Sequence, residues 1–66
     1  MIARPHHAEV WVYNRTGVKY YITDVGEMKI GSGELVESVS YKPVEDATTT
    51  YTRDLETFMT KFTRMK

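Results

Sequence analysis

Apolar and polar residues alternate along most of this chain and then change period near its end. Glu9-Val10-Trp11-Val12-Tyr13 is β-branched and aromatic and predicts a strand. Asn14-Arg15-Thr16-Gly17 follows as a turn, in which Gly17 supplies the positive φ of a type I turn with a bulge. Val18 to Thr23 alternates again, with Val18, Tyr20 and Ile22 on one face and Lys19, Tyr21 and Thr23 on the other. The pair reads as an antiparallel hairpin. Asp24 to Gly33 breaks the pattern with three glycines in ten residues. It reads as a loop, with room for a short strand, from which Met28 and Ile30 fold back over the core.

Glu34 to Lys42 predicts a further strand. Leu35, Val39 and Tyr41 share a face that also includes Glu37, and Val36 lies opposite with Ser38, Ser40 and Lys42. Pro43 ends it, because proline donates nothing to a ladder. A polar turn at 44–47 leads to a last strand over 48–53, rich in threonine. Leu55, Phe58, Met59 and Phe62 then fall at the spacing of one helical face, with Asp54 as N-cap. Acidic Asp54 and Glu56 sit at the start of this helix and Lys61, Arg64 and Lys66 at its end, as the helix dipole favours. Thr57, Thr60 and Thr63 are weak helix formers, so the helix depends on tertiary packing. The expected architecture is mainly β: a bent antiparallel sheet or small barrel of four to five strands, closed or nearly so, with a C-terminal helix across its mouth. Residues 1–66 form one domain, with a loose lead-in at 1–7, the sheet at 8–53 and the helix at 54–66.

The length of 66 residues sharpens this picture, since so short a domain buries only about 60% of its unfolded surface and its core is marginal. Without cysteine it has neither disulfides nor a Cys-based zinc site. Nine basic and nine acidic groups balance to zero and no block of like charge stands out. That balance argues against tight electrostatic binding to nucleic acid or to an anionic membrane. With no apolar run long enough to span a bilayer and no apolar leader at the start, the expectation is a cytoplasmic protein.

Candidate chemistry is sparse. His6 and His7 are neighbours, so on a strand they face opposite ways and do not share a metal. They read as surface histidines, or as part of a site shared between copies. Gly26, Gly31 and Gly33 fit no phosphate-loop spacing. Serines lack a base at a recognisable spacing, and the carboxylates are scattered. The reading is therefore non-catalytic, with no cofactor and no metal. Aromatic residues are the remaining handle. With Val10, Val12, Val18, Tyr20 and Ile22 filling the core, Trp11, Tyr13 and Tyr21 form an outer platform. With both faces covered they form a second core layer instead. A platform would anchor a protein partner, or stack bases with Arg15, Lys19 and Arg53 close by. Arg53 follows Tyr51 on the same face of the last strand, where pairing with Glu9 or Glu37 is preferred to binding an anion.

Taken in order, the chain reads Val12-Tyr13-x-x-x-Gly17-x-x-Tyr20-x-Ile22, then Leu35-Val36 and Val39-x-Tyr41, then Tyr51-Thr52-Arg53-x-Leu55-x-x-Phe58. This series resembles the family of domains of unknown function numbered 1653, short domains of bacteria and their phages. Its members carry a Tyr-x-His-x-x-Gly-x-x-Tyr-x-Val opening, a central Val-Val-Tyr strand and an aromatic-Val-Arg-Pro-Leu-x-x-Phe ending. The similarity covers roughly residues 10–62. Arg15 or Asn14 stands where the family has its His, and Asp54 where it has Pro, which frees the segment to cap a helix. The resemblance implies an SH3-like β-barrel and no activity. It makes a phage origin plausible and suits a binding module that occupies a host protein. The leading expectation is a protein–protein adaptor or inhibitor, with self-association as a way to relieve a marginal core. A nucleic-acid or nucleotide binder is the alternative.

Overall fold

The computed structural model describes residues 4–65. Five strands and one helix follow in the order β1 (Val10–Tyr13), β2 (Lys19–Lys29), β3 (Leu35–Pro43), β4 (Tyr51–Asp54), α1 (Leu55–Lys61) and β5 (Phe62–Arg64). All pairings are antiparallel, in the spatial order β4-β3-β2-β1-β5. The mainly β class with a C-terminal helix is as expected, with five strands in one sheet.

Connectivity forces the sheet to curl. Five strands laid flat span about 19 Å between the outermost two. The α1 segment that joins those edges has seven residues, which advance only about 10 Å as a helix. The edges therefore approach each other and α1 spans the opening between them. Under that span lies the core of Trp11, Ile22, Val39, Tyr41, Phe58 and Phe62. Four of these six are aromatic, which concentrates buried area in few residues. Phe58 and Phe62 stack at 4.1 Å, and Trp11 and Tyr41 each meet Phe58 at 5.3 Å.

The first turn forms as expected: Gly17 sits at φ 76° and its amide donates to the Tyr13 carbonyl at 2.8 Å. The second strand does not stop at Thr23. It runs eleven residues to Lys29, and its register against β3 shifts between Ile22 and Asp24. A bulge there adds one residue to β2, bends the strand and reverses the phase of alternation. Tyr20 and Ile22 face the core before it, whereas Val25 lies opposite Val39 after it. Continuous strand thus looks in the sequence like broken pattern.

Three further expectations are corrected. In β1 the inward residue is Trp11, opposite Tyr20, and Val10 and Val12 are half-buried on the other face. Alternation identifies two faces but not which is inside, and the larger apolar area of Trp11 prevails. Its indole N–H remains satisfied by donating to Glu9 Oε1 at 3.1 Å. The last sheet strand before the helix begins at Tyr51 rather than Thr48. Asp46 Oδ1 accepts from both the amide and the hydroxyl of Thr48, which holds that segment as a turn.

The helix ends at Lys61 instead of running to 66. Phe62 turns extended, and Phe62–Arg64 pair with β1. A continuous helix would leave that edge of β1 without backbone partners. The pairing is reinforced by the Asn14 amide donating to the Lys61 carbonyl and the Thr63 hydroxyl donating to Asn14 Oδ1 at 2.6 Å. Lys66 lies outside the described residues, as do 1–3 of the lead-in. The rest of the lead-in is tied down: Pro5 is buried, the His6 amide donates to Glu9, and Arg4 pairs with Glu37.

Candidate functional site

The space under α1 has two mouths. Antiparallel order puts the start of β2, the end of β3 and the start of β4 at the same end of the sheet. Tyr20, Tyr41 and Tyr51 occupy those places, and Tyr13 and Phe62 join them from β1 and β5. Together with Arg53 and Lys61 they line a groove of about 200 Å³. The rings form one connected cluster. Tyr41 and Tyr51 stack at 5.8 Å, Tyr20 meets both edge-on at 5.3 and 6.2 Å, and Tyr13 meets Phe62 at 5.1 Å. Burial is graded across it. Tyr41 is 5% exposed, Tyr13 and Tyr20 are half-buried, and Tyr51 is 45% exposed. A second concavity, shared by Tyr13 and Lys61, continues the groove to Arg15 and Asn14.

Burial raises the Tyr20 phenol above its ordinary pKa, and the neighbouring Tyr51, Tyr41 and Tyr13 hydroxyls add to the shift. Tyr20 therefore stays protonated through neutral pH and acts as a hydrogen-bond donor and acceptor rather than as a base. No carboxylate lines the groove or its continuation. Three cations, Arg15, Arg53 and Lys61, surround it and make no ion pair among the described residues. The expected pairing of Arg53 does not form, because Glu9 is met by Arg64 at 3.2 Å and Glu37 by Arg4.

The opposite mouth lies between the β2–β3 hairpin and the start of α1. It is wider, about 620 Å³, and is lined by Ile30, Leu35, Val36 and Leu55 together with Glu27, Glu34, Glu37, Asp54 and Glu56. Leu35 is 57% exposed and Ile30 40%. Asp54 caps the helix, its Oδ2 accepting from the Thr57 amide at 2.9 Å. The Thr57 side chain first and then that amide bond hold its carboxyl below the usual range, helped by nearby Arg53. The helix dipole accounts for part of this polarity, since it favours Asp54 and Glu56 at one end and Lys61 at the other. A chain of zero net charge is thus strongly divided along α1.

Of the residues picked out in the sequence, Tyr13 and Arg53 meet in the groove and Arg15 stands beside it. Trp11 is 2% exposed and belongs to the core. Lys19 and Tyr21 lie with Val10 and Val12 on the outer face of the sheet, where Tyr21 touches His7 edge-on at 6.1 Å. The shared Trp11–Tyr13–Tyr21 platform is therefore not made. Tyr20, Tyr41, Tyr51, Lys61 and Phe62 were missed as site residues. Their signal was positional, tyrosines at the start, end and start of successive strands. Among the described residues no group of three His, Cys, Asp or Glu is placed to hold a metal ion, and no helix is long and apolar enough to cross a membrane. No family model, curated protein or solved structure matches the chain.

Proposed function

We propose that this chain is a small non-catalytic binding module that docks an acidic protein segment in its tyrosine groove. Read with the family resemblance, it serves as a phage-encoded adaptor or inhibitor that occupies a host protein in the bacterial cytoplasm. The observation that carries the reading is the groove itself: four tyrosines and Phe62 with Arg53 and Lys61, and no carboxylate in the lining. Tyrosine supplies large rigid contact area with few rotatable bonds and a hydroxyl at its tip, the character of binding hot spots. The cations select carboxylates on the partner and repel basic segments. Tyr13, Tyr20, Tyr41, Tyr51 and Arg53, all residues of the series quoted for the resemblance, converge on this one place.

The test is fluorescence anisotropy with labelled peptides. Acidic peptides with apolar residues bind, their basic counterparts do not, and Tyr51→Ala weakens binding tenfold or more. Equal binding of both peptide sets overturns the reading.

Nucleotide or single-stranded nucleic acid is the second reading, favoured by cations beside aromatic rings. It is weaker because the rings pack on one another, so that Tyr51 alone is largely open to a base. Labelled oligonucleotides in the same assay decide between them: steeply salt-dependent binding that exceeds that of any peptide replaces the protein reading.

A further inference from the structure

The two mouths carry opposite charge, and the hairpin end that walls the acidic mouth stands clear of the other strands. Among the described residues, backbone bonds on the β1 side of β2 end at Ile22, and before Ser38 β3 does not pair with β4. The end of the β2–β3 hairpin is therefore a two-stranded ribbon that projects past the rest of the sheet. Ile30 and Leu35 stand exposed there, and Glu27, Glu34 and Glu56 beside them make no ion pair among the described residues. Two cations stand at this end among the described residues, Lys29 outside the lining and Arg4 paired with Glu37. At the far end of α1 the tyrosine groove is concave and carries Arg53 and Lys61, with Arg15 beside it, none of them in an ion pair among the described residues.

We propose that this chain assembles head to tail, the Ile30–Leu35 knob of one copy seating in the tyrosine groove of the next. The proposal rests on the groove being a docking site and names its occupant as a second copy. Leu35 and Ile30 supply apolar contact to the rings. Glu27, Glu34 and Glu56 face Arg53, Lys61 and Arg15 of the neighbour. Exposed ion pairs add little energy singly, so they set orientation and speed of encounter while the apolar knob sets affinity. Because knob and groove are different surfaces, the contact is heterologous: each added copy leaves one knob and one groove open, giving a ring or an open file.

Sedimentation velocity over a range of protein concentrations, at low and moderate salt, tests this with two variants. Glu34→Lys with Leu35→Arg spoils the knob, and Arg53→Glu with Lys61→Glu spoils the groove. All four positions are exposed, and matching circular dichroism spectra establish that both variants fold. The expected result is a wild-type mass that rises with concentration and falls with salt. Each variant alone stays at the 7.7 kDa monomer, and an equimolar mixture gives a capped pair of twice that mass. A wild type that is monomeric throughout, a variant that still self-associates, or a mixture that does not pair overturns the proposal. The knob variant keeps its groove, so continued binding of acidic peptide to a non-assembling chain leaves the proposed function standing while removing self-assembly.

Discussion

The tyrosine mouth and the acidic mouth open from the same core, yet they are finished differently. At the tyrosine end, rings from all five strands pack edge and face, and burial grades from Tyr41 inward to Tyr51 outward. At the acidic end the hairpin overshoots its neighbours, so Leu35 and Ile30 have little to pack against. The contrast teaches that at the hairpin end the exposure of Ile30 and Leu35 follows strand length, whereas Val18 and Val44 at the other end are exposed beside turns. Where strands end together, aromatic residues share a floor. Where two strands run on alone, their apolar side chains are left at the surface, ringed by charge.

The largest effect expected is on the floor the mouths share. Phe58 is fully buried and touches Trp11, Tyr41 and Phe62. Phe58→Ala costs about 3–5 kcal/mol, as much as a domain of this size has in total. Urea titration followed by circular dichroism should find the variant largely unfolded without denaturant. A variant that retains a cooperative transition near the wild-type midpoint would show that α1 is not what joins the two ends.

Next in size is a test that separates the mouths. Tyr51→Ala removes the most exposed groove ring and should weaken acidic-peptide binding at least tenfold while shifting stability little. Measured at concentrations where the chain is monomeric, Leu35→Ser at the other mouth should leave both peptide affinity and urea midpoint unchanged, within about 0.5 kcal/mol for an exposed site. Equal effects of the two on peptide binding would erase the distinction.

Acid and alkali probe different parts of the molecule. Burial alone would raise the Glu9 carboxyl, but the indole N–H of Trp11, the His6 amide and Arg64 outweigh it and hold the group below its ordinary range. The hydrogen bonds from Thr48 and Thr57 do the same for Asp46 and Asp54. A depressed carboxyl stabilises the fold above its unfolded value, and that contribution is lost as pH falls through the folded value. Stability should therefore decline below about pH 4.5 and further as acid is added. Tyr20 behaves in the opposite sense. Its folded pKa is raised, so its contribution is complete below pH 10 and disappears as pH rises through the folded value. Absorbance titration of phenolate in the wild type and in Tyr20→Phe should assign a late step to Tyr20, and Tyr51→Ala should move that step earlier.

The smallest expected effect concerns the cap. Asp54→Asn keeps an oxygen for the Thr57 amide and should lower the melting temperature slightly and remove part of the acid dependence. Asp54→Ala should lower it more.

How much of this was legible along the chain depends on the range of the forces involved. Strand alternation, the Gly17 turn, the stop at Pro43 and the Asp54 cap are local, fixed by backbone geometry and neighbouring side chains, and the sequence by itself determined them together with the mainly β class. Arg53 and Tyr13, picked out in the sequence for their chemistry and strand position, both line the candidate groove. Other features required contacts between distant segments. Trp11 turns inward because Phe58 waits there, forty-seven positions on. The helix stops at Lys61 because β1 offers a free edge, and the Thr23 bulge changes phase only in register with β3. The division of charge between two mouths arises the same way: residues scattered evenly in sequence are sorted to opposite ends when antiparallel strands fold back and α1 lays its dipole between them. Tertiary structure alone decided these, because burial and pairing are set by whichever distant partner removes the most apolar surface and leaves the fewest backbone groups unbonded.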